Sequence, residues 1–333
     1  MSDVRGRLSL LDGWRALSIL LVLAAHLLPL GPKWLQLNDA VAPMGMALFF
    51  TLSGFLITRL LLSVDVRSFL IRRFCRIIPL AWLAILIVLP FNQAGLPTYS
   101  AHLLFYGNVP PFWLVPMTAH LWSLCVEMQF YVSIAIVVAL LGRRGLYLIL
   151  PACFAVTLGR VLTGTEISII TWFRADEILA GGIVALAYTG HLGQWPGRVA
   201  ARLNVYWLVP LVLLSCHPAL GPVDYLRPYT TSLMVFVSLV TAPSRLVRVA
   251  EHAATQWIAT ISYALYVVHG VLVNTWLGEG DTLVKYLKRP LLIGLTFLLA
   301  HLSTYRWEQP WIRFAKQITS KPDRVRAIPA EGT

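Results

Sequence analysis

Charged residues are scarce in this chain. Only 13% of its 333 residues are Asp, Glu, Lys or Arg, whereas soluble globular proteins carry about 25%. Hydrophobic residues make up 58%, which is more than a soluble fold of this length would bury. The composition excludes an ordinary soluble domain and predicts a polytopic integral membrane protein.

Cysteines are few, and the signature loops of many soluble enzymes are missing. The four cysteines show no paired spacing, so we predict neither a disulfide framework nor a metal site. There is no Walker loop, GxGxxG, HExxH or GxSxG pattern to support nucleotide hydrolysis, redox chemistry or a zinc hydrolase. No permanently bound cofactor is expected. A thiol acyl carrier at Cys125 stays open as an alternative.

The chain has instead a series of long apolar runs. A membrane-spanning helix needs about 20 apolar residues, and the runs predict an all-α membrane protein with about ten transmembrane helices. The stretch 92–119 is rich in proline and aromatic residues, which is typical of an interfacial or re-entrant element. We interpret 1–312 as one membrane-embedded domain and 313–333 as a basic cytoplasmic tail, predicted to be disordered. The predicted spans are 13–31, 43–62, 77–92, 119–141, 145–160, 167–189, 204–220, 227–243, 257–278 and 289–306.

The basic residues gather in alternate connections between these runs. With a cytoplasmic N terminus, about three-quarters of the 27 Lys and Arg residues fall on the cytoplasmic side, as the positive-inside rule expects. Ten spans then place both termini in the cytoplasm. This distribution accounts for the net charge of +12 without a nucleic-acid partner, and the basic tail is expected to contact anionic lipid.

A histidine, His26, lies inside the first apolar run. Eleven residues separate it from Arg15, which is about 20° from three full helical turns, so the two side chains share a helix face roughly 16 Å apart. Asp12 falls within about 40° of the same line. Ionisable groups at membrane depth are costly and usually face a protein interior, where they often do chemistry. The alternative is a packing histidine bonded to a neighbouring helix.

Three arginines occupy five positions between the second and third runs. Arg72, Arg73 and Arg76 would form one cationic face on a helix, and the planar guanidinium suits phosphate. Topology signalling alone would need only one or two of them. The cluster therefore favours an anionic ligand.

The fourth run opens with polar residues at helical spacing. His120, Ser123, Glu127 and Tyr131 are separated by three, four and four residues, so they share a face. A glutamate within a span must be paired or must titrate. Its function could be catalytic, or it could form a structural ion pair with an arginine on another helix.

Further charges lie in later runs. Arg174, Asp176 and Glu177 fall within four residues, and a structural charge network is the favoured interpretation. His269, in the ninth run, is more often a core hydrogen-bonding residue than a catalyst. Ser53 and its neighbouring glycine belong to a small-residue element that permits close helix approach.

Taken in order, six segments resemble motifs of the integral-membrane acyltransferase family 3, from about residue 11 to 314. Trp14 stands where family members often carry a smaller aliphatic residue, and Met128 precedes Gln129 where the family often has an acidic residue, but neither departure touches the proposed chemistry. The segments are Leu11–Arg15 (LDGWR) with His26, Phe49–Phe55 (FFTLSGF), Arg73–Pro79 (RFCRIIP), Leu121–Glu127 (LWSLCVE) followed by Phe130 and Tyr131, Ile261–His269 (ISYALYVVH), and Glu308–Pro310 (EQP).

The resemblance implies transfer of an acyl group, usually acetyl from acetyl-CoA, to a sugar hydroxyl. In bacteria the acceptors are commonly exopolysaccharide, O-antigen, peptidoglycan or related glycans, and some family members acylate macrolides. The expected location is the bacterial cytoplasmic (inner) membrane, and the expected partners are the lipid bilayer, acyl-CoA and a glycan or glycolipid acceptor. The acceptor, the acyl chain length, the membrane face of transfer and the oligomeric state stay open.

The expected mechanism is direct transfer. Arg15, Arg72, Arg73 and Arg76 would bind the acyl-CoA phosphates, and His26 would act as general base on the acceptor hydroxyl.

A second group of residues would support this chemistry. Glu127 would orient His26, stabilise its imidazolium or hold the sugar, and we count it as catalytic. Arg174, Trp122 or Ser123 would stabilise the oxyanion. The predicted supporting or acceptor-binding residues are Asp12, Ser53, Trp122, Ser123, Arg174, Asp176 and His269.

Two other classes of function remain as alternatives. A proton-coupled transporter or flippase would also place charges in membrane spans, although no internal repeat is apparent. A non-catalytic membrane sensor would leave the arginine cluster without a purpose.

Overall fold

The computed structural model describes residues 2–320, with side chains from Ser9 onward. Within that range the chain is helical and forms no β-strand. The first helices are α1 (Ser2–Leu27), α2 (Leu37–Leu61), α3 (Val66–Phe91), α4 (Leu96–Leu103), α5 (Trp122–Leu141), α6 (Ile149–Thr163) and α7 (Asp176–Tyr188). The remaining helices are α8 (Trp195–Ala200), α9 (Val205–Leu214), α10 (Arg227–Thr241), α11 (Ser244–Glu251), α12 (Ala253–Val273), α13 (Thr282–Ser303) and α14 (Gln309–Thr319).

Five helical segments are long and apolar enough to cross a membrane. A sixth is added if the 96° bend between Pro218–Thr241 and Ser244–Glu251 lies within one broken span. The all-α, multi-pass prediction is confirmed, and each of the ten predicted spans overlaps a helix. The number of spans and the side of the termini stay predictions. The five segments are Ser9–Leu27, Leu37–Leu61, Val66–Phe91, Pro116–Thr163 and Ala253–Val273.

Two predicted boundaries differ from the ends of the described helices. The span expected at 167–189 becomes α-helical only at Asp176. The left-handed Gly164 ends α6, and only a 3-10 turn, Thr171–Phe173, lies between the two helices. The predicted tail begins inside α14, whose helix is opened by Pro310 and runs to Thr319. Residues 321–333 lie outside the described part of the chain.

Helices α2 and α7 cross closely because both carry glycine at the contact. A Cβ at Gly54 would overlap the carbonyl oxygen of Ile178, and a Cβ at Gly181 would overlap that of Thr51. Any larger residue at these positions must push the helices apart. The small-residue element predicted to permit close approach therefore does so, and α2 is buried at the centre of the molecule.

Helix α3 carries the arginines and is fixed at two points. Asp65 caps its N terminus by accepting a hydrogen bond from the Ser68 backbone N–H at 2.8 Å. Further along, Tyr263 of α12 donates to the Ile77 carbonyl at 2.6 Å. These bonds position Arg73 and Arg76, which line a cavity together with residues of α1 and α12.

Candidate active site

Three adjacent cavities run through the molecule. The first, here called the arginine chamber, has a volume of about 340 Å³. The second, the neck, has about 60 Å³ and shares Arg15 and Arg76 with the first. The third, the histidine chamber, has about 820 Å³ and shares Val22, Met46 and Tyr266 with the neck. The shared walls place the three cavities in series.

His26 and His269 form a hydrogen-bonded pair in the wall of the histidine chamber. His269 is fully buried, and its Nδ1 lies 2.7 Å from the Tyr266 carbonyl oxygen and 3.2 Å from that of Leu265. Carbonyl oxygens only accept hydrogen bonds, so Nδ1 carries the proton and Nε2 of the neutral ring accepts.

The tautomer of His26 follows from that of His269. His26 Nδ1 lies 3.1 Å from His269 Nε2, and the two rings stack 8° from parallel. Because His269 Nε2 accepts, His26 Nδ1 must donate. The free lone pair of neutral His26 is then on Nε2, which leaves a basic atom in a residue that lines the chamber.

His120 is a third histidine at this site, one to which sequence reasoning assigned no role. Its Nε2 lies 3.1 Å from the Val267 carbonyl and therefore donates, so Nδ1 is an acceptor. Nδ1 is buried and has no partner within the described residues. The ring lies over Gly270, where a Cβ would overlap it. The sequence signal that could have identified His120 is its place on the polar face of the fourth apolar run, with Ser123 and Glu127.

Glu127 lies in the neck and does not orient His26. Its Oε1 accepts hydrogen bonds from Ser53 and, at 2.6 Å, from Tyr131 one helical turn away. The hydrogen-bond partner of His26 is instead His269. Of the predicted roles of Glu127, orientation of His26 is therefore not supported by the geometry, and the predicted shared face with Tyr131 is present.

The three arginines of the cluster do not all face the same cavity. Arg73 and Arg76 line the neck, and Arg76 also faces the arginine chamber. Arg72 points elsewhere: its Nε donates to Thr319 Oγ1 of α14 at 2.8 Å. One step along a helix turns the side chain by about 100°. Arg72 and Arg73 therefore lie on different faces of α3, whereas the sequence analysis predicted one shared cationic face.

Arg15 joins the arginines of α3 from the opposite wall. It lines both the neck and the arginine chamber, and it forms an ion pair with Asp12 at 2.9 Å. Asp12 also lines the arginine chamber. The predicted line from Asp12 through Arg15 to His26 therefore extends along α1 from one chamber to the other.

Glu308 adds a carboxyl group to the arginine chamber that sequence reasoning left without a role. It closes a π-helical turn, Thr304–Glu308, and accepts a hydrogen bond from Thr304 Oγ1 at 3.0 Å. Burial raises the pKa of the Glu308 carboxyl to about 7. Its protonation state therefore changes in the physiological range.

The predicted structural charge network is present. Asp176 pairs with Arg160 at 2.6 Å, and Glu177 pairs with Arg227 at 2.6 Å. Asp224 joins the two halves by contacting both arginines. Asp176 is used within this network and does not line any of the three cavities, so the geometry does not support an acceptor-binding role for it.

Arg174 lies at the edge of this network and lines the histidine chamber. Its Nη2 is 3.4 Å from Glu177 Oε2, while Nε and Nη1 have no partner within the described residues. Its guanidinium carbon lies 6.0 Å from the ring centre of Phe50 and 5.4 Å from that of Trp122. Arg174, one of the three predicted oxyanion stabilisers, therefore has two N–H-bearing nitrogens that form no hydrogen bond with the described residues.

The hydroxyl of Ser123 is already engaged. Tyr266 donates to the His120 carbonyl, so in the 2.6 Å contact between Ser123 Oγ and Tyr266 Oη the serine donates. Trp122 lines the histidine chamber beside Arg174. The described residues contain no group of three His, Cys, Asp or Glu side chains arranged to hold a metal ion.

Comparison with known proteins identifies the family of this chain. A family model described as an acyltransferase domain matches residues 8–314. Peptidoglycan O-acetyltransferase OatA of Listeria monocytogenes is 26% identical over 358 residues, covering 90% of this chain and 55% of that protein. Putative peptidoglycan O-acetyltransferase YrhL of Bacillus subtilis is 26% identical over 360 residues, covering 90% and 54%. O-acetyltransferase OatA of Staphylococcus aureus is 30% identical over 160 residues, covering 40% and 25%.

The fold and these relatives define a multi-pass membrane protein of an acyltransferase family. The chain belongs to the acyltransferase 3 family, whose model covers nearly its whole length, and the resemblance seen in the sequence motifs is confirmed. The chain spans at most about half the length of these curated relatives. No solved structure matches it.

Proposed function

We propose that this protein transfers an acetyl or other short acyl group from acyl-CoA to a hydroxyl of a sugar in a cell-surface or exported glycan. The observation that carries the proposal is the His26–His269 pair, which leaves a basic nitrogen on a residue that lines the histidine chamber. The curated relatives named as peptidoglycan O-acetyltransferases support a glycan acceptor.

The donor would bind from the arginine chamber. Its lining includes Arg15, Arg76, Arg313 and Lys316, and such a cluster suits the phosphates of CoA. The pantetheine arm would extend through the neck past Arg73, bringing the thioester toward His26. At about 60 Å³ the neck is narrow, so it must widen as the arm enters.

The acceptor would occupy the histidine chamber, where His26 Nε2 removes the proton from the attacking hydroxyl. The hydroxyl oxygen forms a bond to the thioester carbon, and the carbon–sulfur bond breaks. The CoA thiolate that leaves then accepts from His26 the proton that the hydroxyl gave up. The products are an ester and free CoA thiol. General-base catalysis of this kind is typically worth about 10²–10⁴-fold.

The orientation in the membrane belongs to the same proposal. Ten spans with both termini in the cytoplasm would open the arginine chamber to cytoplasmic acyl-CoA, in the bacterial inner membrane. The histidine chamber would then lie toward the outer side, so the arm would carry the acyl group through the protein. Glu127, bonded to Ser53 and Tyr131, would shape the neck through which the arm passes.

The arginines provide a matched test of donor binding. Replacing Arg76 with Ala should raise the dissociation constant of acetyl-CoA about tenfold or more, because a charge-assisted contact to phosphate is lost. Arg72→Ala removes the same charge from a side chain bonded to Thr319 and should change it less than about twofold. The measurement is thermal stabilisation of the purified full chain by acetyl-CoA, with release of free thiol in the presence of a glycan acceptor.

The two variants also separate the alternatives. Equal effects of both substitutions would show that the cluster acts only through net charge or topology. A proton-coupled carrier, the main alternative, predicts glycan movement across vesicles without release of CoA thiol. Absence of thiol release with every glycan tested would contradict the proposed function.

A further inference from the structure

Arg174 has hydrogen-bonding capacity that the described protein does not use. The side chain is 3% exposed, yet Nε and Nη1 lack partners within the described residues. Its partner Glu177 is 3.4 Å away and gives its other oxygen to Arg227 at 2.6 Å. Leaving N–H groups of a buried cation unpaired is costly. The site is therefore suited to an additional anionic hydrogen-bond acceptor.

The rest of the histidine chamber is also suited to an anion. The titratable residues among its described lining are Arg174, three histidines and Tyr266. This described lining contains no Asp or Glu. The rings of Phe50 and Trp122 flank the guanidinium, which limits its hydration and fixes the direction of its N–H groups. An acidic ligand would meet no like charge from the chamber wall.

His120 adds no competing charge contact to this wall. Its Nε2 donates to the Val267 carbonyl, and its Nδ1 is buried over Gly270. The N–H groups of Arg174 are therefore the donors of this wall that an acidic sugar would use.

We infer that the histidine chamber recognises an acceptor glycan that carries an acidic group, with Arg174 pairing to that group. This inference rests on the proposed function and names the substrate class of the same site. The acid is a carboxylate or a phosphate, since either matches the guanidinium. A neutral sugar would leave the cation under-paired when it displaces water from the chamber.

The test measures binding of four small probes to the purified full chain in detergent without acetyl-CoA. The probes are methyl glucuronide, its methyl ester, methyl glucoside and glucose 6-phosphate. The wild-type protein should bind methyl glucuronide at least about tenfold more tightly than the ester, because the ester carries a methyl group in place of the negative charge. Tight binding of glucose 6-phosphate would assign phosphate as well as carboxylate to the site.

Three variants locate the preference. Arg174→Gln should reduce the acid-to-ester ratio below about twofold, and Arg174→Lys should retain part of it because it keeps the charge but loses the planar fork. Lys288→Gln removes a cation that contacts Trp276 outside the chambers and should leave the ratio unchanged. If Arg174→Gln fails to fold, the acid-to-ester ratios of the wild type and of Arg174→Lys still test the inference: a wild-type preference that is reduced in Arg174→Lys supports it, and an unreduced preference contradicts it.

Equal binding of acid and ester by the wild type would overturn the inference, as would no measurable binding of the acid at tens of millimolar. A preference that survives in Arg174→Gln would also overturn it. If Arg174→Gln lowers only the rate of transfer, with no acid preference in the wild type, the residue stabilises the oxyanion and the acidic subsite is wrong. Because binding is measured without donor, failure of the proposed transfer would appear separately, as absent thiol release.

Discussion

At the scale of single residues, the central feature is the chain of hydrogen bonds that fixes the proton on His26. The backbone carbonyls of Leu265 and Tyr266 fix the tautomer of His269, and His269 then fixes that of His26. A histidine judged from sequence to be a core hydrogen-bonding residue is thus a positioning residue for the proposed base. Sequence spacing could not identify this partner, because 243 positions separate the two rings.

Substitution of His269 tests this positioning role. His269→Ala should lower kcat about 10- to 100-fold, because His26 loses the acceptor that fixes its tautomer and ring orientation. His269→Gln supplies a carbonyl oxygen as acceptor and should recover part of the loss, and the acetyl-CoA dissociation constant should stay within about twofold in both variants. Equal activity of the wild type and both variants would show that the contact has no catalytic role.

Glu308 predicts a pH dependence of donor binding. With a pKa of about 7, the carboxyl is mostly neutral at pH 6 and mostly charged at pH 8. Its charged form would repel the CoA phosphates in the arginine chamber, so the acetyl-CoA dissociation constant should rise about two- to tenfold over this range through Glu308.

Glu308→Gln is the control for that pH dependence. The amide keeps the shape of the side chain and cannot ionise, so the rise assigned to Glu308 should disappear. Titration of the CoA phosphates themselves affects both proteins equally. Identical pH profiles for the wild type and Glu308→Gln would contradict the assignment.

At the scale of elements, local sequence predicted which segments are helical better than it predicted where they begin and end. Apolar runs identify the helices because burial in lipid or protein demands them. The start of α7 was missed because apolar residues at 167–173 continue the hydropathy pattern without forming the helix. The division between Arg72 and Arg73 depends on how α14 packs beside α3, which composition does not encode.

The crossing of α2 and α7 gives a prediction at this scale. Gly54→Ala should destabilise the fold by about 1–3 kcal/mol, because the added methyl overlaps the backbone of α7. Gly159→Ala, in α6, meets no atom within 4 Å and should be neutral or stabilising by up to about 1 kcal/mol. Thermal melting of the purified protein in detergent compares the two. Equal melting temperatures would show that the close crossing is not required.

At the scale of the whole molecule, the fold places an arginine chamber and a histidine chamber at opposite ends of a narrow neck. Sequence motifs predicted most of the residues involved, because each of the six motifs contributes to a wall. These motifs lie in α1, α2, α3, α5 and α12 and at the junction of the π-helical turn with α14. They did not predict the order of the cavities, the unpaired N–H groups of Arg174 or the packing of His120 over Gly270, because those depend on contacts between distant segments. Donor binding and base catalysis, as proposed, would therefore take place in separate cavities.

The most direct test of this account measures transfer and donor binding together in His26→Ala. The variant should bind acetyl-CoA within about twofold of the wild type, because the arginine chamber is intact, while thiol release with a glycan acceptor falls about 10²–10⁴-fold. His301→Ala removes a histidine that bonds Trp257 outside the three cavities and should retain full activity. Transfer by His26→Ala at the wild-type rate, with normal donor binding, would contradict the assignment of His26 as the base.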